Sequence, residues 1–178
     1  LIEIEGKIRD KVDKYIYATG TVDLEEIVGD MLSERGYTVA TAESCTGGLI
    51  GHRLTNVPGS STYFLGGVIS YSNDMKMKTL GVQENTLQEF GAVSKQTATE
   101  MAQGARDLFG SDLAIAVTGI AGPGGGTAEK PVGLVYITLV HNDKVWAKKF
   151  KFFTDRKLNN RLSSQVALNM VRIHLLNG

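Results

Sequence analysis

Apolar positions recur along this chain at two spacings, near 3.6 and near 2, and each change of spacing marks a new element. In residues 2–16 the apolar groups are Ile2, Ile4, Ile8, Val12 and Ile16. The later ones fit one face of a helix, and the first few also fit a strand. A loop signal, Tyr17-Ala18-Thr19-Gly20, closes the segment. Asp23 followed by Glu26 is a capping-box start. Leu24, Ile27, Val28, Met31 and Leu32 form the buried stripe of the helix it opens, and Gly36 ends that helix. A strand is predicted over 37–42, then a turn over 43–48 into a helix that runs to about Leu54. A second strand covers 63–71, with Phe64, Leu65, Val68 and Ile69. Asn73 is placed to cap a helix through Leu80, stopped by Gly81.

Residues 86–90 make a short helical turn. Ser94 caps a helix with Ala98, Met101, Ala102, Ala105 and Leu108 on one face. Leu113 to Val117 reads as a short, fully apolar strand, and 118–130 as a glycine-rich loop. Residues 132–140 and 145–153 alternate with period 2 around His141-Asn142-Asp143-Lys144, the pattern of a hairpin. A last helix is predicted over about 155–176, with Leu158, Leu162, Val166, Met170 and Ile173 inside. Strands that alternate with helices before a hairpin predict a three-layer α/β/α sandwich. Its sheet is mixed and mainly parallel, with a C-terminal β-hairpin and helix. Residues 1–20 are the only candidate for a separate segment.

Charge narrows the function classes. Nineteen basic residues balance nineteen acidic ones, so no net field points toward nucleic acid or an anionic membrane. The single cysteine, Cys45, excludes an internal disulfide, and no Cys/His cluster has zinc spacing. No apolar run reaches the roughly 18 residues of a membrane span. A cytoplasmic protein is the expectation.

In open α/β sheets ligands gather beyond the carboxyl ends of the strands. Three such ends carry chemistry: Glu43-Ser44-Cys45-Thr46-Gly47-Gly48, then Ser70-Tyr71-Ser72-Asn73, then the run from Thr118 through Gly126. Ser44 leaves a strand and enters a helix, where free backbone N–H groups can hold an oxyanion. By pattern alone a plain helix cap is the commoner role of such a serine. Cys45 is the rival nucleophile, because a thiol at a helix start can ionise more readily; a lone cysteine is more often a small packed residue. None of His52, His141 and His174 has an evident acidic partner nearby in sequence. Lys76, one turn into the next helix, is the better base if burial or a neighbouring cation lowers its pKa. A solvated surface lysine is its bland reading, as for Lys78. Tyr71 can relay a proton or simply be a strand aromatic. The glycine-rich loop can cradle a phosphate, although it has neither a Gly-Lys-Ser/Thr ending nor dinucleotide-fold spacing.

Taken together, the motifs resemble the C-terminal domain of the CinA family, which includes stand-alone PncC-type amidases. The resemblance is carried by Thr41-Ala42-Glu43-Ser44-Cys45-Thr46-Gly47-Gly48, Pro58-Gly59-Ser60-Ser61, Tyr71-Ser72-Asn73 with Lys76, and Leu80-Gly81-Val82. Gly91-Ala92-Val93-Ser94, Thr118-Gly119-Ile120-Ala121-Gly122-Pro123 and Glu129-Lys130-Pro131-Val132-Gly133 complete it, over roughly residues 23–175.

The resemblance implies hydrolysis of the carboxamide of nicotinamide mononucleotide to nicotinic acid mononucleotide and ammonia, without metal or cofactor. It implies Ser44 as nucleophile, Lys76 as base and Tyr71 and Thr118 in support. Arg156 is a further implied catalytic position, in a motif that reads Gly-Asp-Arg in the family and Thr154-Asp155-Arg156 here. Glu43, Thr46, Gly47, Gly48, Asn73, Gly119, Gly122, Gly124 and Lys130 are the implied substrate contacts. The resemblance also implies that residues 1–22 are a linker-like segment before the domain, 23–178, and that an N-terminal domain of molybdopterin-binding type, absent from this sequence, is the covalent neighbour. The hairpin and last helix are candidates for a contact between copies. Two other readings stay open: a nucleotide-binding regulatory domain without catalysis, and a metal-dependent phosphatase or pyrophosphatase.

Overall fold

The computed structural model describes residues 2–13 and 16–177. Leu1, Lys14 and Tyr15, within the stretch read as linker-like, lie outside the described residues, as does Gly178. Helix α1 (Ile2–Val12) settles the choice left open by the first apolar positions, and Ile4, Ile8 and Val12 on it are exposed.

The next elements are α2 (Leu24–Arg35), β1 (Val39–Glu43), α3 (Leu49–Thr55), β2 (Phe64–Ile69), α4 (Asn73–Leu80), α5 (Glu84–Phe90) and α6 (Lys95–Phe109). Then come β3 (Leu113–Gly119), β4 (Leu134–His141), β5 (Lys144–Lys151) and α7 (Arg156–Asn177). The Asp23/Glu26 capping box forms, and Gly36 closes α2 in the left-handed conformation. Asn73 is the first residue of α4 rather than its cap. Ser72, one residue earlier, does the capping, its hydroxyl accepting from the Met75 N–H at 3.2 Å.

The five strands lie in the order β2-β1-β3-β4-β5. β1 pairs in parallel with β2 and β3, while β4 is antiparallel to both β3 and β5. The sheet is therefore mixed, with β4 alone running against the other four. One face carries alanines: Ala40, Ala42, Ala114 and Ala116 meet Met101, Ala102 and Ala105 of α6. Small side chains on both sides let helix and sheet approach closely. The other face carries Leu113, Ile115, Val117, Val135 and Ile137, covered by Leu24, Val28 and Leu32 of α2, Ile50 and Leu54 of α3, and α7. This is the three-layer sandwich.

Two predicted faces are wrong in detail. Leu108 is exposed on α6. On α7, Leu158 and Ile173 are exposed and Leu162 and Val166 half-buried. Met170 is buried as predicted, but the rest of the buried face is Asn159, Ser163, Ser164, Ala167, Leu168, Val171 and Leu175. Helix α7 packs against both α2 and α3, and Ser163, Ser164 and Ala167 are the small residues of the face buried there, beside Leu168 and Leu175.

The topology creates a candidate ligand crevice. β1 feeds α3 on one face before β2, and β2 returns through α4, α5 and α6 on the other face to β3. The chain thus leaves β1 and β2 on opposite faces, which opens a crevice beyond their carboxyl ends. In register, Glu43 lies beside Ile69 on one side and Val117 on the other. The three strand ends singled out from sequence therefore abut.

Candidate active site

Ser44 is the first residue after β1, and its N–H still donates to Val117 O at 2.9 Å. The chain then turns through Cys45, Thr46 and Gly47 to Gly48, which opens α3 at φ 96°. A Cβ on Gly48 would stand 2.8 Å from Ile69 Cδ1, so both backbone and space call for glycine there.

The helix start is not free to bind an anion. The Glu43 carboxylate, almost fully buried, accepts N–H bonds from Gly48 at 3.0 Å, Ile50 at 3.1 Å and Gly51 at 2.8 Å. Such charge-assisted bonds at a helix N-terminus replace the lost hydration of the carboxylate. They anchor the turn on which Ser44 sits. Glu43, expected among the substrate contacts, is thus engaged by α3. The Cys45 and Thr46 N–H groups, by contrast, donate to no carbonyl or carboxylate among the described residues.

Lys76 has its side chain buried at 1% exposure, although it lies on a short helix with a polar outer face. Its Nζ is 3.1 Å from Ser44 Oγ and donates to Ser70 O at 2.7 Å. Among the described residues no carboxylate pairs with it. Burial holds its pKa below the ordinary 10.5, with a smaller opposing influence from Cys45. Lys78, two residues on, is exposed and pairs with Asp74 at 3.0 Å.

The rival nucleophile is disabled by the same burial. Cys45 is 6% exposed, and desolvation pushes its thiol up to about 12. Its Sγ would stand 3.1 Å from a Cβ on Gly119, whose bareness gives the sulfur its space. Almost no thiolate exists near neutrality, and the thiolate is the reactive form. Iodoacetamide at pH 8 should therefore modify Cys45 at least ~100-fold more slowly than free cysteine. Mass spectrometry of timed samples checks this; modification at the free-thiol rate would contradict the burial.

The third strand end completes the cleft. Thr118 Oγ1 donates to Ala92 O at 2.7 Å, tying β3 to the segment before α6. Beyond it, the N–H groups of Gly122, Gly124 and Gly125 donate to no acceptor among the described residues. Arg156, at the start of α7, donates from Nη1 to Gly122 O at 3.0 Å and from Nη2 to the Tyr71 hydroxyl. Asp155 caps α7, accepting from Leu158 N at 2.7 Å. With Thr154 before the Asp155 cap, Arg156 reaches the cleft.

Tyr71 is 59% exposed and, among the described residues, bonds to neither Ser44 nor Lys76. Its hydroxyl is held by Arg156, which leaves the Ser44–Lys76 contact direct rather than relayed.

Ser44, Tyr71, Asn73, Lys76, Thr118, Gly119, Gly122, Gly124 and Arg156 all line one cleft of about 280 Å³. Glu43, Thr46, Gly47, Gly48 and Lys130 do not line it. Lys130 instead donates to Phe90 O and pins the far end of the glycine-rich loop to α5. Asn159 escaped the sequence reading. Buried on α7, it donates to Ala121 O at 2.8 Å and Phe153 O at 3.0 Å, and accepts from Phe153 N at 3.0 Å. It fixes the start of the glycine-rich loop; its only sequence signal is a polar residue one turn after the Asp155 cap.

The family model described as CinA C-terminal domain matches residues 21–175. The chain belongs to the CinA family. A CinA-like protein of Chloroherpeton thalassium is 51% identical over 180 residues, covering 99% of this chain and 43% of the relative. One from Kosmotoga olearia is 51% identical over 174 residues, covering 97% and 42%. The chain thus spans about two fifths of the length of these curated relatives.

The crystal structure of competence/damage inducible protein CihA from Agrobacterium tumefaciens superposes with a TM-score of 0.81 at 42% identity, covering 89% of this chain and 98% of that one. A CinA superfamily protein from Enterobacter cloacae gives 0.82 at 30% identity, covering 90% and 96%. The three-layer architecture of this CinA domain is thus that of solved relatives. Among its described residues no three His, Cys, Asp or Glu side chains gather as a metal site, and no helix is long and apolar enough to cross a membrane.

Proposed function

We propose that this CinA domain is an amidase that hydrolyses the carboxamide of nicotinamide mononucleotide, with Ser44 as nucleophile and Lys76 as base. One observation carries the reading: a buried lysine of lowered pKa, with no carboxylate partner among the described residues, lies 3.1 Å from a serine hydroxyl in a cleft. A lysine that only stabilised the fold would be exposed or paired with an acid.

In the neutral amine one N–H goes to Ser70 O, and the lone pair accepts the Ser44 hydroxyl proton. Ser44 Oγ then attacks the carboxamide carbon. The oxyanion that forms lies by the Cys45 and Thr46 N–H groups. The carbon–nitrogen bond breaks as the Lys76 ammonium returns its proton to the leaving nitrogen, which departs as ammonia. Water, deprotonated by the same amine, attacks the acyl ester, and the acid leaves with Ser44 restored. Arg156 and the N–H groups of Gly122, Gly124 and Gly125 offer donors to the phosphate at the other end of the substrate.

The test is ammonia release from the mononucleotide, run with and without a chelator. Release unaffected by chelator supports the amidase. No release together with retained nucleotide binding would favour a regulatory domain, and chelator-sensitive phosphate release a metal-dependent phosphatase.

A further inference from the structure

A second groove lies at the other end of the sheet. Period 2 on β5 puts Lys144, Trp146 and Lys148 on one face, and Met170, Ile173 and His174 form one stripe on the last turns of α7. Between them is a cavity of about 350 Å³ floored by Leu139. It adjoins a second of about 200 Å³, lined by Arg35, Tyr37 and His141 and sharing Lys144, Trp146 and His174 with the first. Tyr37 precedes β1, and His141 ends the antiparallel β4 opposite Leu113. The groove is therefore remote from Ser44.

Its chemistry is one-sided. Ring groups and apolar side chains make the walls: Trp146 lies 4.4 Å from His174 between ring centroids, and Tyr37 meets His141 edge-on at 4.9 Å. Three cationic side chains line the two cavities, and among the described residues no carboxylate does. Among the described residues neither Lys144 nor Lys148 forms an ion pair. Asp112, the acid whose charge reaches His141, is already engaged by the Thr38 N–H and hydroxyl at 2.7 Å each. His141 Nδ1 and His174 Nε2 stand 2.8 Å apart, within hydrogen-bond distance of each other. Burial and then the charges of His141 and Lys144 hold His174 below the ordinary 6.5, as a positive, partly dehydrated site requires. Such a potential repels a metal cation and attracts an anion.

We propose that this groove binds a planar aromatic anion, its ring against Trp146 and its acidic group on Lys144 and Lys148. The cavity has the volume of an ordinary small-molecule site, and flat rings stack where an aromatic side chain is held by its neighbours.

Trp146 is the only tryptophan in the chain, so its fluorescence reports this groove without another signal. The probes are benzoate and adenosine 5′-monophosphate, with benzyl alcohol and adenosine as uncharged counterparts. A saturable change is expected with the anions, at least ~10-fold tighter than with the neutral compounds. Lys144→Gln/Lys148→Gln, with an unchanged circular dichroism spectrum, should weaken the anions at least ~10-fold and leave the neutral compounds alone. In the wild type, added salt should weaken the anions only, a measurement that needs no variant. No saturable change, equal binding of charged and neutral probes, or a double variant that binds the anions like the wild type would each overturn the proposal. So would self-association that follows protein concentration without responding to the anions, since the groove would then be a contact between copies.

Discussion

Ser44→Ala should abolish ammonia release, with kcat/KM falling at least ~1,000-fold, as loss of a nucleophile does elsewhere. The fold should survive. The serine hydroxyl makes a single bond, to Lys76 Nζ, and a buried hydrogen bond contributes about 0.5–1.5 kcal/mol net. Lys76 keeps Ser70 O as acceptor in the variant. Glu43 continues to hold the turn through its three backbone N–H bonds, none of which involves the Ser44 side chain. The serine is therefore separable from the scaffold that presents it. The checks are turnover, thermal unfolding and nucleotide affinity on one preparation. A folded Ser44→Ala protein with near-normal turnover would remove this serine from the reaction.

How much of this was legible in the sequence depends on how local the signal is. Capping pairs such as Asp23 with Glu26, stops such as Gly36 and Gly81, and the period-2 runs around Asn142-Asp143 are short-range, and the structure follows them. The abutting strand ends follow from parallel order, and residues from all three come together in one cleft. What sequence spacing misses is direction and close approach. Leucine spacing on α7 suggested one face, but contact with α2 and α3 favours the serine and alanine face. Glu43 sits in the motif that carries Ser44, yet its neighbour points into the cleft while its own side chain turns to the N–H groups of α3. Successive residues of a strand face opposite ways; the sequence shows both as polar and cannot assign the sides to a ligand and a helix. Lys76 shows the opposite case, since nothing in its neighbourhood, Asp74-Met75-Lys76-Met77-Lys78, marks one lysine as buried and the other as solvated.

That contrast gives the second large effect. Lys76→Arg should be nearly inactive, by at least ~100-fold, because a guanidinium stays protonated at working pH and cannot accept the Ser44 proton. Nucleotide binding should persist, since Arg156 and the glycine-rich loop are untouched. Lys78→Arg, on the exposed side and paired with Asp74, should be close to silent. Burial, rather than a neighbouring cation, is what lowers the Lys76 pKa, with Cys45 acting weakly the other way. Wild-type turnover should therefore rise with pH along a limb whose midpoint lies below 10.5. Stability gives an independent reading of the same group. Between the lowered folded value and the unfolded one, the unfolded chain binds more protons, so unfolding free energy rises with pH through that window. Below it the cost of burying an ammonium is felt in full. Cys45, raised to about 12 from 9.0, pulls the other way above pH 9, so the informative quantity is the difference between two proteins. Lys76→Met keeps the apolar stem and removes the charge. It should gain most over the wild type at low pH, and lose that advantage as pH climbs toward 10.5. Unfolding midpoints of both proteins across pH 6 to 11 make the comparison. A difference that stays flat with pH, or an active Lys76→Arg enzyme, would make this lysine an electrostatic support, and the serine would then need another base.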